Sequence, residues 1–528
     1  MSRRTQQIDA LFQQVKRAHD AGQLAHAEQG YRQILAAQPN HAGSLHGLGL
    51  VALQVGQADA ALVLIDQAIA RERNTALFHV HRGHALLALG RAPDAQLAAR
   101  EAVRLKRNLG EAHHVLGHAL SDLGEPDGAV TAYREAARLN PRIPDLHNAL
   151  GLALREANAF EEAIAAVRQA LLIAPNDPVA TSNLAGLLKD TGQIAPAESL
   201  YRGEIRRNPA DAGSHFNLAV LLLLAGRLAE AWPEWEWRFR ADPSLAPIYD
   251  TPIWSGDALA GRTLLVHAEQ GLGDVIQFCR YLSALPAHEK VVVAVQPPLV
   301  ALLRRCFPTR TVVGLDAPTP DHAIRCPIMS LPLALGLTGI ADIPPSPYLT
   351  VDPHRVALWR ERLAATPFPK VGLVWAGNPD RMRMDRRRSI APDRLVPLSE
   401  IPGITLVSLQ KPAGGRLLDL GKLAGRVIDW SDGLTDFEDT AALVASLDLV
   451  IGVDTAVVHL AGALGKPVWL LNRADTCWRW MLGCDDSIWY PGLRQFRQTQ
   501  PGQWDDVIAR VAAALAAQNF QREDRTAP

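Results

Sequence analysis

An aspartate behind a glycine-rich turn can take a proton from an alcohol, and the chain carries one at Asp274, within HAEQGLGDVIQF (His267–Phe278). Gly271 and Gly273 let the backbone turn tightly, and the carboxylate falls at or near the start of a helix. So placed, it can act as general base for an attacking hydroxyl, or do no more than cap backbone N–H groups. His267 and Glu269, at the same strand end, are the reserve bases. A second stretch, LDLVIGVDTAVVHLAGALGKPVWLL (Leu447–Leu471), puts Asp454 and Thr455 between a buried strand and a helix, with His459 one turn further on. A helix N-terminus carries partial positive charge and unpaired N–H donors, which suit a diphosphate. The plain alternative is an Asp/Thr cap with a packed histidine. Between the two stretches lies an arginine-rich loop, Asn378–Ser389, with Arg381, Arg383, Arg386, Arg387 and Arg388. Its cations suit phosphate, with Asn378 and Arg388 as the individual candidates; solvated surface and a nucleic-acid patch are the alternatives. Gln410 and Lys411, ending the next strand, are candidates for contacts to a base or ribose.

These residues need strand ends to hold them, and from about residue 260 the sequence supplies short β-branched runs alternating with helical stretches. Strands are expected at 263–267, 290–295, 370–375, 404–409, 449–453 and 467–471. Helices are expected at 274–285, 299–306, 436–446 and 456–464. Such alternation means parallel sheets covered by helices, with ligands at the carboxyl ends of the strands. A proline-rich break at 340–368 divides the region in two.

The first half repeats with a period of 34 residues. Gly22, Gly56, Gly90, Gly124, Gly192 and Gly226 fall on one lattice, and Asn158 fills the gap. Five residues after each stands an alanine, from Ala27 to Ala231. Glycine or asparagine permits a sharp turn between two helices, and alanine lets them approach closely. Pro39, Pro141, Pro175 and Pro209 stop the second helix of four units. This is the tetratricopeptide-repeat (TPR) pattern, seven units over roughly residues 8–245. A solenoid of this kind carries no chemistry and offers a concave face to an extended ligand. His84 and His118 are equivalent lattice positions, as are Asn183 and Asn217. A second ladder, His79, His113, His147 and His215, reads as helix-to-helix packing rather than a metal or proton site. The run AWPEWEWRF (Ala231–Phe239) ends the repeats, and Trp232, Trp235 and Trp237 are expected to dock the last unit onto the next domain.

With 54 Lys plus Arg against 55 Asp plus Glu in 528 residues, the chain has no broad electrostatic footprint for nucleic acid. No apolar run has the length of a membrane span or signal-peptide core. Five scattered cysteines without a CxxC pair suit a reducing compartment. The cytoplasm is therefore expected.

GVDTAVVHLAGALGKP resembles the donor-site segment of the heptosyltransferase-like glycosyltransferases: Gly452, Asp454, Thr455 and His459 match, and Ala456 replaces the usual glycine. GLGD (Gly271–Asp274) resembles the same family's Gly-Asp turn, whose aspartate is the proposed base, and WAGNPDRMRMDRRRSI and VSLQK resemble bacterial proteins that fuse TPRs to this domain. Two asparagine rungs also resemble the peptide-gripping ladder of TPR-bearing O-linked N-acetylglucosamine transferases. The resemblance implies an α-solenoid followed by an α/β GT-B fold with two Rossmann-like halves: TPRs over 1–245, an acceptor-side half over 246–365 and a donor-binding half over 366–528. It implies inverting transfer from a nucleotide sugar with no metal or other cofactor. Asp274 would be the base, and Gly273, Asn378, Arg388, Gln410, Lys411, Asp454, Thr455 and His459 would hold the donor. His84, His118, Asn183 and Asn217 would hold the acceptor, expected to be a protein Ser or Thr. A lipid-linked or polysaccharide acceptor, and a TPR scaffold with an inactive transferase-like domain, are the alternatives.

Overall fold

The turn glycines of the 34-residue lattice all adopt the left-handed backbone, with φ from +69° at Gly90 to +78° at Gly56, and Asn158 does the same at +61°. The computed structural model describes residues 3–245, 249–377, 387–411 and 419–520. Its helices pair about these turns as the period requires, from Arg3–Asp20 and Leu24–Ala37 to Ala212–Leu224 and Leu228–Trp235. Every lattice alanine (Ala27, Ala61, Ala95, Ala129, Ala163, Ala197 and Ala231) has no exposed surface. A side chain larger than methyl at these positions would wedge the helix pair apart.

Residues 1–188 and 189–528 form two compact units. In the first, the ladder histidines act as staples. Nε2 of His79, His113 and His147 donates to the carbonyl six residues earlier, on Arg73, Arg107 and Pro141, at 2.8, 2.8 and 2.9 Å. Those carbonyls lie just past a helix end, where backbone acceptors lack intrahelical partners. The fourth rung, His215 in the second unit, bonds Pro209 O at 3.1 Å and stacks on Trp237 with ring centroids 4.0 Å apart.

Other histidines of the first unit face one another. His46 Nε2 and His81 Nδ1 share a hydrogen bond of 2.8 Å, and the rings of His114 and His118 lie 4.8 Å apart. Burial, together with His81, His19 and Lys16, pushes His46 down to about 3. Burial, His81 and His118 push His84 down to about 4, against the pull of Glu111. Burial, His118 and His84 likewise bring His114 to about 4. The unfolded chain, with histidines near 6.5, therefore takes up protons before the folded one as pH falls. This contribution to stability is whole above about pH 6.5 and is lost progressively toward pH 4. Thermal melts by circular dichroism should show the melting temperature falling between pH 7 and pH 5, and His46→Gln with His84→Gln should flatten that slope. A slope unchanged by the double substitution would assign the acid sensitivity to other groups.

The second unit holds two parallel sheets. The first comprises β1 (Leu264–His267), β2 (Val291–Val295), β3 (Thr311–Gly314) and β4 (Ile324–Pro327), in the order β3-β2-β1-β4. The second comprises β5 (Lys370–Val374), β6 (Thr405–Ser408), β7 (Leu449–Val453), β8 (Val468–Asn472) and β9 (Leu493–Arg497), in the order β6-β5-β7-β8-β9. Every neighbouring pair is parallel. β3, β4 and β9 are strands beyond those expected from the sequence, and the proline-rich break contains the helix Pro353–Leu363. No helix among the described residues is long and apolar enough to cross a membrane.

The last repeat helix packs into this unit through its aromatic run. Trp232 meets Phe278 and Trp478 edge-on at 6.0 and 6.4 Å, and Trp235 meets Trp478 at 5.7 Å. Trp232 and Trp235 are buried. Arg238, with no exposed surface, grips Glu269 with two hydrogen bonds of 2.9 Å and donates to Ser330 Oγ at 2.7 Å.

Candidate active site

The first motif turns from β1 into the helix Leu272–Phe278, and the second from β7 into the helix Ala456–Ala463. The two helix starts abut. A Cβ on Gly273 would lie 3.0 Å from His459 Cδ2 and 3.4 Å from Ala456 Cα, so glycine supplies the clearance on which the approach depends. Two stretches separated by some 180 residues of sequence thus meet at one point.

Asp274 divides its oxygens between structure and site. Oδ2 accepts the Gly271 N–H at 2.8 Å, closing the turn. Oδ1 is held by Arg479 Nη2. Arg479, from the short helical turn Trp478–Trp480 beyond β8, also donates from Nε to Gln277 Oε1 at 2.9 Å. Both Asp274 and Arg479 keep a little exposed surface. The carboxylate is therefore a cap and an ion-pair partner at once.

Asp454 faces His459 Nε2 at 3.6 Å and Arg388 Nη1 at 3.8 Å. Burial alone would raise its pKa; His459, Arg388 and Arg479 outweigh burial and hold the carboxyl far below the usual carboxylate range. Burial pushes His459 the other way, below an ordinary imidazole, despite Asp454 beside it. The His459 ring is fixed by Tyr490, whose hydroxyl shares a 2.9 Å hydrogen bond with Nδ1, and by Trp480, stacked at 5.1 Å. Thr455 occupies the N-cap of the helix Ala456–Ala463, yet its side chain makes no cap bond and its Oγ1 is buried without a hydrogen bond. Neither side chain closes this helix start; Val458 and His459 N–H bond the Thr455 carbonyl at 3.1 and 3.4 Å, and the N–H groups of Ala456 and Val457 are the ones left to other partners.

The remaining candidates fall elsewhere. Glu269 is buried in its pair with Arg238, and its Oε1 also accepts Met329 N–H at 3.2 Å. His267 is buried, donates from Nδ1 to Ala268 O at 3.1 Å and is pushed down to about 4, chiefly by burial. Gln410 spends its side chain on backbone: Oε1 accepts Trp375 and Ala376 N–H at 3.1 and 2.9 Å, and Nε2 donates to Ala376 O at 3.1 Å. Lys411 reaches Leu434 O. Arg387 pairs with Asp475 at 2.9 Å. Asn378, Arg381, Arg383 and Arg386 lie outside the described residues. Of the repeat residues, His84 is half-buried, His118 is exposed beside Tyr133 at 5.7 Å, and Asn183 Nδ2 donates to Asn148 Oδ1 at 2.9 Å. Asn217, half-buried, lies on Ala212–Leu224. Gln277, inside the first motif but not singled out by it, completes the site together with Arg479, Trp480 and Tyr490, which no motif marks; the local sign there is the arginine between two tryptophans at Trp478–Trp480.

Comparison with known proteins bears on both parts of the chain. Residues 46–110, 114–178 and 183–246 match the tetratricopeptide-repeat family model. Residues 432–474, which span the second motif, match glycosyltransferase family 9 (heptosyltransferase). Protein FlbA of Caulobacter vibrioides is 34% identical over 312 residues, covering 54% of this chain and 52% of FlbA. The chain thus spans about half the length of the curated relative it matches. Among solved structures, Pseudomonas aeruginosa pilF is 18% identical with a TM-score of 0.38, covering 41% of this chain and 99% of its own. A thermophilic TPR protein of Thermus thermophilus is 24% identical with a TM-score of 0.30, covering 34% of this chain and 99% of its own.

Proposed function

We propose that the protein is a glycosyltransferase that moves a sugar from a nucleotide-sugar donor to an acceptor hydroxyl, with inversion and without a metal. The observation that carries this reading is the meeting of the Gly273–Asp274 turn with the Asp454–His459 helix start, the latter inside the segment that matches family 9. In this reaction the acceptor oxygen attacks the anomeric carbon and its proton passes to Asp274. The bond from that carbon to the phosphate oxygen breaks, and the electron pair leaves with the phosphate. Charge on the departing diphosphate is met by the N–H groups of Ala456 and Val457, at the start of the helix Ala456–Ala463, and by Arg388, which Asp454 holds. Cations and helix N–H groups suffice in kind for that task, so the reading calls for no further cofactor. The TPR arm, through His84, His118, Asn183 and Asn217, captures a protein whose Ser or Thr receives the sugar.

A panel of nucleotide sugars tests the donor half of this reading, since a ligand that binds only the folded chain raises its melting temperature by mass action. With the donor so found, Asp454→Ala and His459→Ala should weaken its affinity at least about tenfold, because Arg388 and the start of the helix Ala456–Ala463 lose the side chains that position them for the diphosphate. Mere loss of a helix cap costs about 1 kcal/mol of stability and leaves binding alone. Variants that melt earlier yet bind the donor normally would return Asp454 and His459 to a structural role. A panel in which no nucleotide sugar stabilises the protein would sink the donor assignment itself.

A further inference from the structure

Arg479 touches both halves of the site. A guanidinium has five N–H donors. Here Nε serves Gln277 at 2.9 Å, Nη1 serves Cys477 Sγ at 3.1 Å and Nη2 serves Asp274. A second N–H on each terminal nitrogen remains for a ligand. The group is fixed in place: the Trp478 ring centre lies 4.3 Å from its central carbon, and the next residue, Trp480, stacks on His459. Its charge also contributes to lowering both Asp454 and His459, which places it within electrostatic reach of the helix start.

We infer that Arg479 is a shared cation: it holds Asp274 in the free protein, and its remaining N–H groups bind the phosphate oxygen of the departing nucleotide diphosphate. The inference rests on the glycosyltransferase reading above. The charge balance of the reaction supplies the reason. As the acceptor proton reaches Asp274, that carboxylate loses the charge that held the guanidinium. In the same step the sugar–phosphate bond breaks and the phosphate oxygen gains a charge. One arginine between the two groups follows the charge from the first to the second, so the cation is already in place when the leaving group needs it.

Inorganic pyrophosphate, titrated calorimetrically into the full chain, tests the sharing. Asp274→Asn should tighten pyrophosphate about threefold or more, because the guanidinium is released, and Arg479→Gln should weaken it about tenfold. The two effects must be coupled: in the Arg479→Gln background the gain from Asp274→Asn should vanish. A gain of equal size with and without Arg479 would mean plain repulsion by Asp274 and would overturn the inference. Should Arg479→Gln fail to fold, Arg479→Lys carries the test, since it keeps the charge and loses the fork; affinity about threefold lower is expected, and affinity equal to the wild type overturns the sharing. Pyrophosphate that binds but is indifferent to Arg479 overturns this inference alone. Pyrophosphate that does not bind the wild-type chain overturns the diphosphate site with it.

Discussion

Asp274→Asn should lower the turnover of sugar transfer by about a hundredfold or more, the range that a positioned general base supplies. Donor affinity should be kept or tightened. The substitution leaves the side chain's size and its acceptor oxygen, so the bond to the Gly271 N–H, which closes the turn, survives. What it removes is basicity and the charge on which Arg479 rests. Loss concentrated in kcat marks an interaction made on the way to the transition state. A fall in melting temperature with turnover intact would make the capping bond the whole of Asp274's work. His267 would then be the next group to examine, because Glu269 is already committed to Arg238.

The solenoid and the motifs were legible in the sequence because both depend on local backbone demands. A left-handed turn every 34 residues leaves glycine or asparagine at each, and the seven φ values follow. A strand feeding a helix start leaves Gly271, Gly273, Asp454 and Thr455 in recognisable order. What could not be read locally is how distant side chains dispose of their hydrogen bonds. Gln410 follows a strand, where a ligand contact was plausible, yet β5 leaves Trp375 and Ala376 N–H without ladder partners and Gln410 satisfies them. The arginine on which Asp274 depends lies 205 positions away, in a helical turn of three residues, too short to show a periodicity. β3, β4 and β9 escaped notice for a related reason. Each is four or five residues long, and β9 (LRQFR) and β4 (IRCP) carry charged residues that break the apolar run expected of a buried parallel strand.

The aromatic run at the end of the repeats sets where the chain can be cut. Removing residues 1–240 takes away Trp232 and Trp235, which pack on Phe278 and Trp478, and Arg238, which neutralises buried Glu269. Arg238→Ala alone should cost about 3–5 kcal/mol, because a carboxylate is left buried without its partner. Burial already raises the Glu269 pKa even with Arg238 in place. A chain beginning at Ala241 is therefore expected to misfold or to melt far below the full-length protein, and its inactivity would say nothing of the acceptor. A chain beginning at Pro178 keeps the helix Pro178–Asp190 whole together with all of the second compact unit, and should fold. It separates acceptor choice from chemistry. On the proposed reading it binds the donor as the full chain does and hydrolyses it slowly, but fails to modify a protein acceptor, because binding energy gathered on the repeats no longer positions the hydroxyl. Mass spectrometry of Ser and Thr residues in proteins retained by the full-length chain, compared with those exposed to the shortened one, reads the difference. In the full chain, His84→Ala, His118→Ala and Asn183→Ala should reduce acceptor capture and leave donor binding unchanged. If the shortened chain modifies the protein acceptor as well as the full one does, the repeats do not choose it. If it transfers sugar to a lipid-linked or polysaccharide glycan at the full rate, the acceptor is that glycan and the repeats serve assembly.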